Sequence, residues 1–276
     1  MPGDVPDFPS GAPSVATAPG TLEAALRARR AGGAKLLIPY VMGGMTGDWV
    51  RVLQAVVAAG ADAVEVGIPF SDPMIDGPVI QEASVLALGR GTTPREVIDG
   101  IAAASIGVPV AVMTYYNLVV RAGHYRMARS LAAAGVAGAI VADLPLEELG
   151  PWAVEADAAA VETILLVAPS TPPARVGALC ARSRGFVYAV ARMGVTGERA
   201  DVGSEAAAVV GRIRQATDTP VCVGVGVSTA AQAMDICAVA DGVVVGSALV
   251  RRLVEGGGPE AAGSFVAELR AALDAG

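Results

Sequence analysis

Three carboxylates crowd one short stretch of this chain, Ala63-Val-Glu-Val-Gly-Ile-Pro-Phe-Ser-Asp-Pro-Met-Ile-Asp-Gly-Pro-Val-Ile-Gln81. It opens as an apolar, β-branched strand with Glu65 inside it. A charge buried in a strand is costly unless it is paired or has a task. Gly67 and Pro69 end the strand. The loop that follows holds Asp72 and Asp76 among three prolines, Pro69, Pro73 and Pro78. Proline fixes φ and removes a donor, so this loop is stiff and cannot rejoin a sheet. Taken singly, Glu65 reads as an ion-paired core residue, and Asp72 and Asp76 as a turn former and a helix cap. Together, in one rigid loop after a strand, they read as acids held around a small ligand.

Such acids need a scaffold, and the hydrophobic pattern supplies one. Eight short apolar runs read as strands: 35–40, 62–66, 108–113, 137–142, 162–167, 186–190, 220–223 and 241–245. Helical periodicity fills the gaps, at 49–59, 80–88, 94–104, 124–134, 147–159, 173–183, 204–217, 230–239, 248–255 and 259–275. Strands apolar on both faces and alternating with helices predict a parallel sheet. Eight such units in 276 residues predict an α/β fold, a closed (β/α)8 TIM barrel. An extra helix at 22–30 precedes the first strand, with Thr21 as its expected cap. Residues 1–20, rich in Pro, Gly, Ser and Ala, read as a disordered tail, and 21–276 as a single catalytic domain.

Composition narrows the ligand. Hydrophobic residues make up 53% and charged residues 17%, enough for a large core. A net charge of -7 argues against a nucleic-acid surface. The mean hydropathy of +0.54 comes without an apolar run of transmembrane length, so no membrane span is expected. Cys180, Cys222 and Cys237 are odd in number and lack metal spacing, so they read as free thiols in a reducing cytoplasm. With His124 alone, read as a surface residue, no metal site is expected.

In a barrel of this kind the site lies in the loops after the strands. Gly224-Val-Gly226 follows the seventh strand, and Gly246-Ser247 follows the eighth and opens a helix. Glycines there let backbone N–H groups approach an anion, and the helix dipole favours negative charge, so these loops predict a phosphate site. Gly194-Val-Thr-Gly197, after the sixth strand, has the flexibility of a lid. Tyr188, in the sixth strand, is placed to face the barrel mouth. These features also suit another phosphosugar barrel, such as an epimerase or isomerase, although that reading leaves the acidic loop unexplained.

The stretch from Glu65 to Pro78 resembles the signature of the tryptophan synthase alpha chain family. Similarity continues through Val141-Ala-Asp-Leu-Pro-Leu-Glu-Glu148, Gly194–Gly197, Val223–Ser228 and Gly246-Ser247, from the first helix to the last. The resemblance implies a lyase that cleaves indole-3-glycerol phosphate to indole and glyceraldehyde 3-phosphate, without a cofactor in this chain. It implies Glu65 and Asp76 as the catalytic acids. Tyr188, Thr196, Gly197, Gly226, Gly246 and Ser247 then lie at the substrate or its phosphate. It also implies a PLP-dependent beta-chain partner in an alpha2beta2 tetramer, met through Ser71, Asp72 and Pro73. The chain departs from the family at Gly44-Met45-Thr46 (usually Gly-Asp-Pro), at Val79 (usually Thr) and at Val225 (often aromatic). The first departure lies in a loop that meets the partner, so coupling is expected to be weaker. A free-standing lyase of another indole pathway is the alternative, and a scaffold that only activates a beta chain is a third.

Overall fold

A computed structural model describes residues 20–191, 202–224 and 226–276. The strands are β1 (Leu36–Met42), β2 (Val64–Gly67), β3 (Val110–Thr114), β4 (Val136–Val141), β5 (Glu162–Thr163), β6 (Leu165–Val167), β7 (Val187–Val190), β8 (Val221–Gly224) and β9 (Gly242–Val245). All pair in parallel, in the order β5-β4-β3-β2-β1-β9-β8-β7-β6. β5 and β6 are separated by Ile164 alone, so the chain itself joins the two ends of that order into an eight-staved barrel.

The fifth expected strand is thus two segments. β5 pairs with β4 through Gly138↔Glu162 and Ala139↔Thr163, while β6 pairs with β7. Ile164 N–H still donates to Ala139 O at 3.0 Å, but Leu165 N–H turns to Ser183 Oγ at 3.1 Å. The serine takes a ladder donor, and the strand changes neighbours at that point.

Around the barrel run α1 (Thr21–Ala31), α2 (Trp49–Ala58), α3 (Pro78–Gly89), α4 (Pro94–Ala104), α5 (Tyr116–Ala122), α6 (His124–Ala133) and α7 (Gly150–Ala158). They continue with α8 (Pro173–Arg182), α9 (Val202–Arg214), α10 (Ala230–Cys237), α11 (Ser247–Val254) and α12 (Gly258–Ala275). Some of these are written locally. Thr93 and Glu96 form a reciprocal capping box at α4, with Pro94 in its first turn. Others are not. The expected cap Thr21 is already helical, and Gly20 occupies the cap position without a side chain to offer. Instead the Leu22 and Glu23 N–H groups donate to the carboxylate of Glu162, at 2.7 and 3.1 Å, from 140 residues away. α5, which the sequence leaves as loop, is held the same way: Tyr116 N–H donates to Asp143 Oδ1 at 2.6 Å.

Two apolar layers result. One lies between strands and helices. The other fills the barrel with Leu36, Ile38, Ala63, Ala111, Ile140, Ile164, Phe186, Cys222 and Val244, and Leu22 and Leu26 of α1 plug its lower end. Both plug residues are fully buried, each worth about 1.5–3 kcal/mol. Carboxylates stiffen the same end. Asp62 accepts Leu37 N–H and pairs with Arg29 and Arg270, and Asp241 accepts Val221 N–H and pairs with Arg30 and Arg214. The end holding the amino termini of the strands is therefore committed to stability, which leaves the opposite mouth free for chemistry.

Because α1 depends on a distant cap, Glu162→Ala is expected to cost about 1–3 kcal/mol, with α1 loosening first. Denaturant midpoints, with hydrogen exchange at Leu22 and Glu23, check this. Unchanged exchange there would show that the plug holds α1 without the cap.

Candidate active site

Strand alternation sets the site. Along β2 and the residue before it, Ala63, Glu65 and Gly67 share the barrel-facing side, with Ala63 in the inner core. Glu65 is 1% exposed, and both its carboxyl oxygens are buried without a hydrogen-bond partner among the described residues. That rules out the ion-paired core reading. Burial first, and then the charge of Asp76, push Glu65 from the ordinary 4.5 up to about 8.

Asp76 reaches the same space from the loop after β2, and α3 holds that loop. Ser84 Oγ accepts from Phe70 N–H and donates to Phe70 O, both at 2.8 Å. Gln81 Nε2 donates to Asp76 O at 2.9 Å and to Pro73 O at 3.3 Å. From the end of β3, Tyr115 Oη donates to Asp76 Oδ2 at 2.8 Å and accepts from Ile75 N–H at 3.3 Å, while its ring stacks on Phe70 at 4.8 Å. Burial raises the pKa of Asp76, and the Tyr115 hydrogen bond opposes that rise. The two acids thus differ: one is dry and unpartnered, the other anchored by a phenol.

Tyr188 of β7 faces the mouth from the wall opposite β2, half-buried. Its hydroxyl lies over Gly224, where an added Cβ would stand 2.4 Å from Oη. Tyr40 of β1 lies over Gly67 in the same manner. β8 and β9 are neighbours, so Gly226 and the Gly246-Ser247 turn lie at adjacent strand ends. Gly226 has φ +64, a conformation few side chains accept. Gly246 precedes α11, whose amino terminus faces the mouth. Thr196 and Gly197 lie outside the described residues, as does Val225.

Ser71 and Asp72 are exposed and Pro73 half-buried on the rim, with Ser71 Oγ donating to Asp72 Oδ2 at 2.6 Å. Beyond them Met74 and Ile75 are 90% and 51% exposed. Met45 behaves differently: only 4% exposed, it packs into the core. A cavity of about 450 Å³ opens beside the acidic loop, lined by Ile75, Val141, Asp143, Leu165, Leu166 and Thr171 among others. His124 is half-buried, with Nε2 3.1 Å from Tyr116 Oη, because α5 covers it.

From sequence, Tyr115 stands out only as one of the polar residues after the third strand, and Tyr40, Ser84 and Gln81 do not stand out. Tyr115 and Tyr40 did carry a signal, each being a polar aromatic at the end of an apolar strand. Ser84 and Gln81 carried none, since both look like ordinary helix surface.

The raised pKa of Glu65 has a stability consequence. Between pH 4.5 and about 8 the unfolded chain releases a proton that folded Glu65 keeps, so stability falls as pH rises through that window. Glu65→Gln removes the effect. Its stability advantage over the wild type is expected to be small below pH 4.5, to grow up to about 8 and then to level off. Urea midpoints of both proteins across the window test this, and a constant difference would contradict it.

Comparison with known proteins agrees with this geometry. Residues 26–272 match the family model of the tryptophan synthase alpha chain. The chain is 47% identical over 258 residues to the tryptophan synthase alpha chain of Halorhodospira halophila, covering 90% of this chain and 94% of that one. It is 46% identical over 235 residues to that of Streptomyces coelicolor, covering 83% and 86%. Among solved structures, an open form of tryptophan synthase from M. tuberculosis superposes with a TM-score of 0.85 at 39% identity, covering 93% of this chain and 99% of that one. The alpha subunit from Legionella pneumophila gives 0.86 at 29%, covering 94% and 100%. With the family model spanning residues 26–272 and relatives 46–47% identical over most of both chains, the chain belongs to the tryptophan synthase alpha chain family.

Proposed function

We propose that this chain cleaves indole-3-glycerol phosphate to indole and glyceraldehyde 3-phosphate, as the alpha subunit of tryptophan synthase in L-tryptophan biosynthesis. The observation that carries the reading is the pair of unlike acids in the barrel mouth. Glu65 is neutral at physiological pH and can give a proton, whereas Asp76 is poised to accept one hydrogen bond.

The steps balance. Glu65 protonates C3 of the indole ring, leaving positive charge on the ring nitrogen. Asp76, held by Tyr115, accepts from the ring N–H and stabilises that charge. Glu65, now a carboxylate, takes the proton of the glycerol hydroxyl next to the ring. The carbon–carbon bond breaks, its electron pair returns to the ring, and the hydroxyl carbon leaves as the aldehyde. Glu65 ends protonated, so no cofactor in this chain is called for. The cavity beside Ile75 offers the ring a wall in Val141, Leu165 and Leu166. Tyr188 closes the opposite side, and Gly226, Gly246 and Ser247 supply backbone donors for the phosphate. Thr196 and Gly197 join this set through the family resemblance.

Residues 21–276 act as one catalytic unit in the cytoplasm. Three buried free cysteines fit a reducing compartment, and no described helix is long and apolar enough to cross a membrane. The partner is a PLP-dependent beta chain in an alpha2beta2 assembly, met through Ser71, Asp72 and Pro73. One observation favours the free-standing lyase as a second reading. Met45 is a core side chain, so the rim offers no charge where the family usually has Asp. Titrating the chain with a beta chain while following indole release separates the two. Strong activation supports the subunit, and fast, unresponsive turnover supports the free enzyme.

Glu65→Gln is expected to keep the fold and ligand binding and to lose roughly 10²–10⁴-fold or more in turnover. Near-normal indole release by that variant would sink the assignment. In the wild type, turnover should fall as pH rises through about 8, since the acid form of Glu65 starts the reaction.

Gly246→Asp tests the phosphate site. Its backbone has φ -107, and an added Cβ would make only ordinary contact with Tyr40 at 3.6 Å, so charge rather than strain is introduced. Glycerol 3-phosphate should bind at least about tenfold more weakly, with free indole little affected. Equal losses, measured by calorimetry, would place the phosphate elsewhere.

A further inference from the structure

The proposed reaction leaves Glu65 as a carboxylate in a dry site while the substrate breaks. That charge needs a donor, and among the described residues none hydrogen-bonds the Glu65 carboxyl oxygens. Three titratable groups among the described residues face it, Asp76 from the loop after β2, Tyr40 from β1 and Tyr188 from β7, while Tyr115 faces Asp76. Asp76 is an acceptor of the same charge. The Tyr115 hydroxyl is committed to Asp76. Tyr188 also feels the Glu65 charge, but its hydroxyl leans over Gly224 of β8 rather than onto β2.

Tyr40 remains. The register of β1 and β2 sets Tyr40 directly beside Glu65. Both side chains point into the barrel, Tyr40 on the alternation Leu36, Ile38, Tyr40 and Glu65 on Ala63, Glu65, Gly67. The phenol leans across onto β2, and a Cβ on Gly67 would stand only 1.9 Å from Tyr40 Oη and 2.6 Å from Cζ. The hydroxyl therefore rests on the backbone two residues beyond Glu65, on the same face. Tyr40 is 4% exposed, and the contact its hydroxyl makes is to the Met42 thioether at 3.9 Å, a weak acceptor. A buried donor without a good acceptor thus neighbours a buried acceptor without a donor.

We propose that the Tyr40 hydroxyl is the donor that takes up the Glu65 carboxylate when that group ionises, making Tyr40 the positioning residue of the β2 acid. Its mechanistic meaning rests on the function proposed above. The bare geometry of Gly67 is part of the device, because any side chain there would displace the phenol.

The test is Tyr40→Phe, which keeps the ring and removes the hydroxyl. Infrared difference titration of the Glu65 carboxyl, assigned with Glu65→Gln, reads the contact without turnover. A hydrogen bond to the charged form lowers a carboxyl pKa, so its loss should raise the Glu65 midpoint by about one pH unit. Tyr188→Phe should move it less. Indole release should show kcat down roughly tenfold and the falling limb of its pH profile moved upward, with KM changed less than about twofold. Met42→Leu removes only the rival acceptor and should leave the midpoint unchanged or lower. An unmoved midpoint in Tyr40→Phe, a larger shift in Tyr188→Phe, or a rise in Met42→Leu overturns the proposal. A wild type that releases no indole would instead defeat the functional reading, and leaves the infrared result to decide the contact.

Discussion

The architecture turns on one carboxyl group kept from water without a partner. Glu65 sits on the inner face of β2, and no described residue hydrogen-bonds its carboxyl oxygens. An ionised carboxylate in such a place costs several kcal/mol, so the group keeps its proton to about pH 8 instead. Among the described residues no basic side chain reaches its oxygens. The same isolation gives a general acid near neutrality, so the cost to stability and the capacity for chemistry have one origin.

Holding such a group requires the rest of the barrel to be firm. The lower end is closed by Leu22 and Leu26 and by carboxylates that accept backbone N–H groups at the strand starts. The upper end is fixed more selectively. Proline stiffness in the acidic loop is reinforced by Ser84 and Gln81 from α3 and by the Phe70–Tyr115 stack. Asp76 is consequently presented at a defined place, while Glu65 stays free to exchange its proton. Two tyrosines from facing walls each rest on a strand-end glycine, which makes Gly67 and Gly224 seats for rings as well as ends of strands.

Long-range capping recurs. Glu162 holds the start of α1 and Asp143 the start of α5, each from a distant part of the chain. Such caps tie helices to the barrel as they form, so the N-terminal helix and the site-facing helix α5 depend on tertiary closure for their boundaries. Ser183 acts alike on the fifth stave, where it takes the Leu165 N–H and turns one strand into two.

By itself the sequence determined the barrel, because apolar runs of strand length alternating with helical periodicity leave few other ways to bury both faces of a parallel sheet. It also determined where the acids, the tyrosine of β7 and the glycine turns would lie, since strand ends map onto one mouth whatever the details. Glu65 was conspicuous as a charge in an apolar run, and Asp76 as an acid in a proline-stiffened loop. Tertiary structure alone decided that Glu65 has no partner, that Asp76 is anchored by Tyr115, and that Met45 belongs to the core rather than the rim. It alone revealed the caps from Glu162 and Asp143 and the leaning of Tyr40 onto Gly67. The reason is physical. Periodicity reports which face of an element is buried, but a hydrogen bond or a raised pKa depends on what stands opposite, and here the opposing group comes from another strand or loop.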